Sequence, residues 1–170
     1  MLQELTAARL REIIDYDPAT GEFWWKIVRP GRGTKGNRCG RITRKGYLEI
    51  CVDRGHYYAH RLAWLYMTGG WPPNEIDHAN MVKDDNRWAN LRAATPRENQ
   101  GNKGLQRNNT SGAKGVVWHA KAGKWAAHIA QGRRCIHLGL FPTVGEAAAA
   151  YAQAAAAAFG EFARPAVAAA

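Results

Sequence analysis

The chain has only three cysteines, Cys39, Cys51 and Cys135, odd in number, widely spaced and without a CxxC pair. That pattern excludes both a disulfide framework and a zinc knuckle and leaves reduced, structural thiols. Long apolar runs are missing too: none reaches the roughly 18 residues of a membrane span. The opening MLQELTAARLREIIDY lacks the basic-then-apolar order of a secretory signal, so a cytoplasmic protein without a membrane partner is expected. Acids are scarce, with 14 Asp+Glu against 24 Lys+Arg and a formal charge of +10. The deficit is uneven: residues 1 to 100 hold sixteen bases and twelve acids, whereas 101 to 170 hold eight bases and two acids. Such an excess points to a polyanionic partner, nucleic acid before an anionic membrane.

What is present suffices for buried cores, since 46% of the 170 residues are hydrophobic and 10% aromatic. Leu10, Ile13 and Ile14 suit one face of a short helix that stops before the turn sequence DPATG at 17–21. From Glu22 to His60, runs such as FWWKIV, GYLEICV and YYAH alternate with Gly and Pro, as short antiparallel strands do. HRLAWLYMT, 60–68, reads as a helix burying Leu62, Trp64, Leu65 and Met67. GNKGLQRNNTSG, 101–112, has linker composition and sets a domain boundary near residue 105. Beyond it, GVVWH, KWAAHIA and RCIHLGLF have the spacing of a three-stranded meander. A helix follows from Thr143-Val-Gly-Glu146, a capping box, to Phe159 with Gly160 as its stop, and residues 164–170 are expected to fray. The fold class is α+β: an N-terminal β-rich region with the catalytic segment over 1–104, then a sheet packed on one helix over 105–163.

The segment 75–103, EIDHANMVKDDNRWANLRAATPRENQGNK, is the most informative. Thr95-Pro-Arg-Glu98 starts a helix at Pro96 and puts Asn99 one turn inside it. EIDH and LRAAT are strand-like, with a polar loop of about a dozen residues between them. A strand, loop, strand and helix in that order can group the Asp77 carboxylate, the His78 imidazole and the Asn99 amide. A hard divalent ion favours such oxygens and keeps waters beside them, and a neutral histidine can take a proton from water near pH 7. Asp84 and Asp85 read as solvated loop acids, and His60 as a packing or capping residue more than a site residue.

This segment resembles the ββα-metal motif of HNH nucleases, in the form found in phage and intron-encoded homing endonucleases. The resemblance is strong over 60–103 and is carried by IDH, ANLR and ENQ. It implies Asp77 and Asn99 as metal ligands, His78 as general base and Asn90 as the residue that holds the loop and orients His78, with Asn86 shaping the loop. The implied cofactor is Mg²⁺, with Mn²⁺ as the other candidate, and the implied reaction is phosphodiester hydrolysis in double-stranded DNA by a monomer or weak homodimer. The rival reading is a DNA-binding regulator that keeps this fold only as a scaffold, or a protein that binds RNA.

DNA contacts are expected from two regions. In RPGRGTKGNRCGRITRK, Arg29, Arg32, Lys35, Arg38, Arg41 and Arg44 recur every third residue among glycines, which suggests an extended loop along a phosphate backbone. The C-terminal part, through SGAKGVVW, GKWAAHI, HLGLF and GEAAAAY, resembles the Apetala-two/ERF-type DNA-binding domain, whose sheet enters the major groove. The resemblance implies that Val117, His119, His128 and His137 face DNA, with Lys114, Lys121, Lys124, Arg133 and Arg134 on phosphates. Alternation puts Trp125, Ala127 and Ile129 on the core face.

Overall fold

A computed structural model describes residues 4–28, 35–106, 108–132 and 134–164. Arg29, Arg32, Arg133 and all but Arg164 of the expected frayed tail lie outside the described residues. The architecture is α+β and divides into two compact units, 1–94 and 95–170, a division about ten residues before the boundary expected near residue 105.

The first unit opens with α1 (Ala7–Ile13), capped by Thr6, whose hydroxyl accepts the Arg9 N–H at 3.2 Å. Helix stops at Ile14 because the next four residues, β1 (Ile14–Asp17), pair with β2 (Glu22–Trp25) as a hairpin around the expected turn. A three-stranded sheet follows, β3 (Arg41–Ile42), β4 (Leu48–Val52) and β5 (Gly55–Tyr58), in the order β3-β4-β5. Then comes α2 (Ala59–Thr68), ended by Gly69 in the left-handed region. Ala59 and His60 of the strand-like YYAH are thus helical. The buried face of α2 is Ala59, His60, Leu62, Ala63 and Leu65; Trp64 is half-buried and Met67, expected inside, is exposed. With β5 ending at Tyr58, Met67 falls outside the stripe of α2 that meets α1 and the sheet. The pair β6 (Glu75–His78) and β7 (Leu91–Ala94) completes the unit in antiparallel register, Asp77 opposite Arg92 and His78 opposite Leu91. One core joins these elements, centred on Leu10, Ile14, Phe23, Ile50, Leu62 and Leu65.

The second unit begins with α3 (Pro96–Asn102), which carries the expected capping box: Thr95 and Glu98 satisfy each other's backbone N–H groups. Gly101 of α3 meets the Phe159 ring so closely that an added Cβ would lie 2.7 Å from it. The meander forms as read: β8 (Val116–His119), β9 (Lys124–Gln131) and β10 (Arg134–Phe141), in the order β10-β9-β8. Behind it lies α4 (Val144–Phe159), capped by Thr143 and buried through Ala147, Ala148, Tyr151, Ala155 and Phe159. Alanines let this helix sit close to β9, whose Ala127 and Ile129 are buried, as is Ala126 on the opposite parity. Trp125 is only half-buried, because it packs edge-on against the exposed Trp118 at 5.1 Å. Cys39 is in the first unit's core and Cys51 is half-buried, but Cys135 lies exposed on β10 and is no packing residue.

The hairpin β1–β2 abuts the loop between β6 and β7. Tyr16 donates its hydroxyl to the Asn86 carbonyl at 2.7 Å, and the Trp88 N–H donates to the Pro18 carbonyl at 2.9 Å. Gly21, at φ +77°, lies where a Cβ would come within 2.5 Å of the Asn86 and Arg87 backbone. Gly69 has a similar φ of +84° but nothing within 4 Å. Gly69→Ala should therefore cost about 1 kcal/mol in urea denaturation, from backbone strain alone. Gly21→Ala should cost about 2–5 kcal/mol, since the clash with backbone adds to that strain.

Candidate functional site

β6 ends on Asp77 and His78, both buried. Two N–H groups of Arg92, across the strand pair, bond Asp77 Oδ2: Nε at 3.0 Å and Nη2 at 2.8 Å. The carboxylate predicted as a metal ligand is therefore paired with a guanidinium, itself largely shielded.

Asn90, also buried, closes the loop after His78. Its Oδ1 accepts the Asn80 N–H at 2.9 Å, its Nδ2 donates to the Asp85 carbonyl at 2.8 Å, and its backbone carbonyl accepts the Ala79 N–H at 2.9 Å. The His78 carbonyl accepts from the Met81 N–H at 2.9 Å. Asn90 thus bears on His78 through the backbone on either side of Ala79. Asn86, 1% exposed, donates its amide to the Asp84 carbonyl, a loop-shaping role as expected. Asp85 is no solvated acid: Arg87 and Asn80 bind its carboxylate, and the Arg87 bonds lead the effects that lower it to about 2.

His60 lies against His78, ring centroids 5.0 Å apart and edge-on. Tyr47 covers both, at 5.5 Å from His60 and 6.0 Å from His78. The Nδ1 of His60 is buried with no hydrogen-bond partner among the described residues. Burial first, then the charges of His78 and Arg61, push the His60 imidazole down to about 3. His78 is lowered by burial as well, while the Asn86 side chain and the carboxylates of Asp77, Asp85 and Asp84 act in the opposite sense. A neutral imidazole at pH 7 is the form that accepts a proton.

His60 packs as the sequence suggested, here against His78; Tyr47, in the turn before β4, and Arg92, in β7, were not singled out, since no local signal marks residues that meet from separate parts of the chain. Asn99 lies on α3 in the second unit, half-buried, its N–H bonded to the Thr95 carbonyl. Among the described residues, no group of three or more His, Cys, Asp or Glu is assembled to hold a metal ion.

The basic segment after β2 is only partly a loop. Arg38 bridges to Trp24, lies over its ring and pairs with Glu22; Arg41 is in β3 and pairs with Glu49 at 3.1 Å. Among the described residues of this segment, Lys35 and Arg44 are exposed, and Arg38 and Arg41 hold carboxylates. In the second unit, Val117, His119, Lys121, Lys124, Arg134 and His137 are exposed, and His128 is half-buried. Lys114 is engaged internally: its Nζ donates to the Gly101 carbonyl at 2.7 Å and lies over the Tyr151 ring, and burial lowers it to about 8.

Residues 57–100 match the family described as HNH endonuclease, so the stretch from Tyr57 through α2, β6 and β7 to Gln100 is similar to that domain. An uncharacterized HNH endonuclease of Acanthamoeba polyphaga mimivirus is 32% identical over 126 residues, covering 73% of this chain and 64% of the relative. The chain thus spans just under two thirds of that relative's length. No solved structure matches the chain to significance.

The buried histidines carry a pH signature. His60 at about 3 in the folded state binds fewer protons than the unfolded chain below the ordinary histidine value of 6.5. Its contribution is complete above that value and is lost as pH falls toward 3. From pH 7 to pH 5, His60→Phe should lose about 2 kcal/mol less stability than the wild type in urea titrations. Equal losses would mean that His60 titrates as an ordinary histidine.

Proposed function

We propose that the chain is a metal-dependent DNA endonuclease of the HNH kind, with His78 as general base and the C-terminal sheet as a DNA-reading surface. The observation that carries this reading is the buried Asp77–His78 pair at the end of β6, behind a loop closed by Asn90, within the stretch similar to HNH endonucleases. The Asp77 carboxylate is the kind of oxygen donor that a hard ion such as Mg²⁺ or Mn²⁺ favours, and the resemblance adds the Asn99 amide as a second ligand. When bound, the ion supplies charge stabilisation for a phosphodiester transition state and its leaving oxygen. His78, neutral at pH 7, takes the proton of the attacking water. Asn90 keeps the His78 backbone in place, and the Tyr47 and His60 rings limit rotation of the imidazole. Lys35 and Arg44 on the first unit, and Lys121, Lys124 and Arg134 on the second, are the exposed cations suited to phosphates. Arg38 and Arg41, each paired with a carboxylate yet largely exposed, keep further N–H donors for phosphates. Homing activity and phage or intron origin remain part of the proposal on resemblance alone.

A regulator that binds DNA without cutting is the second reading. It is favoured by Arg92, which already neutralises Asp77, and by the depth of His78, 5% exposed. Supercoiled plasmid separates the two. With Mg²⁺ the wild type should nick, EDTA should stop it, and His78→Ala should slow it about a thousandfold with duplex binding intact. Tight binding without magnesium-dependent product would favour the regulator. Lys121→Ala with Lys124→Ala should weaken duplex binding and lower the salt slope by about 2. An unchanged slope would remove that edge of the sheet from the interface.

A further inference from the structure

The second unit holds a histidine pair that the proposed nuclease chemistry does not use. His128 on β9 and His137 on β10 are directly opposite in the ladder, just before a register shift between His137 and Gly139. Their rings stand 4.8 Å apart, 51° from parallel, with His137 Nδ1 3.1 Å from His128 Nε2. Two nitrogens so close must share a single proton, because each would otherwise present a lone pair or an N–H to its like. A metal ion can replace that proton. With metal–nitrogen bonds of about 2.0–2.1 Å, two imidazoles on one ion have nitrogens about 2.9 Å apart at a right angle and about 3.3 Å apart at a tetrahedral angle. The observed 3.1 Å lies between these limits.

The setting also suits a ligand pair. Antiparallel pairing fixes both backbones, so little ordering is left for ion binding. His137 is exposed, and His128 lines a cavity of about 490 Å³ together with Cys135, Ala130 and Val117, which leaves room for water or another ligand. Burial and the charges of His137 and His119 hold His128 below the ordinary histidine range, so it is unprotonated at pH 7. Imidazole nitrogens favour Zn²⁺, Ni²⁺ and Cu²⁺ over Mg²⁺, so the site differs in chemistry from the hard-ion site of the first unit.

We propose that His128 and His137 form a binding site for a borderline transition metal ion, Zn²⁺ being the probe of choice, with water completing the coordination. The inference does not depend on nuclease activity, because its test reads metal binding and not cleavage. Full-length protein is titrated calorimetrically with Zn²⁺ in excess Mg²⁺, alongside His128→Asn, His137→Asn, His119→Asn and Cys135→Ser, each checked for folding by circular dichroism. The wild type should bind an ion whose affinity falls about tenfold or more in either His128→Asn or His137→Asn, a loss of about 1.4 kcal/mol or more. His119→Asn and Cys135→Ser should change it less than about twofold. An ion held in the first unit would be retained in all four variants. The proposal is overturned if no binding is lost in the folded His128→Asn and His137→Asn proteins, or if Cys135→Ser removes the ion and they do not. Should one of the two fail to fold, the other decides by the same criterion.

Discussion

The first unit depends on closing a polar loop over the end of a two-stranded ladder. Residues 79–90 hold backbone donors and acceptors close to a buried aspartate and histidine, where an unsatisfied polar group is costly. Asn90 answers part of that demand with one amide, bonding Asn80 and Asp85, and its own carbonyl holds Ala79. The loop's own turns answer more, through Val82, Asn86 and Arg87, and the N-terminal hairpin adds bonds from Tyr16 and Pro18, with Gly21 packed close. The core that joins α1, the hairpin, the sheet and α2 can thus be understood as the foundation of this loop. A displaced hairpin would disturb the His78 backbone without touching its side chain.

Electrostatics in the same region follow from burial. Two imidazoles in edge contact, deep in the unit, cannot both be charged at reasonable cost, and both are lowered. Arg92 lies directly across the ladder from Asp77 and its guanidinium bonds the carboxylate. A divalent ion arriving at Asp77 would therefore meet a site whose charge is already balanced.

The second unit solves a simpler problem. A three-stranded sheet needs cover on one face only, and an alanine-rich helix provides it at short range. The other face is left to small, aromatic and imidazole side chains with cations at its edges. Lys114 shows that a basic residue in a basic unit need not serve the surface, since its ammonium answers a helix-end carbonyl of α3. In the first unit Arg38 and Arg41 each pair with a local acid while staying exposed.

Local chemistry was legible in the amino-acid sequence. The Thr95–Glu98 capping box, the Thr143 N-cap, the DPATG turn, the meander and the strand, loop, strand and helix order around Asp77 and His78 involve residues a few positions apart, whose conformations are set by neighbours. Alternation along β9 placed Ala127 and Ile129 in the core, although Ala126 is buried on the opposite parity and Trp125 is half-buried. Tertiary structure alone decided that His60 and Tyr47 pack on His78, that Arg92 holds Asp77, that the β1–β2 hairpin supports the loop, and that His128 meets His137 nitrogen to nitrogen. These pairs are separated by 9 to 70 residues. Their contacts depend on strand register and on which faces share a core, and neither is written in the spacing of the residues that meet.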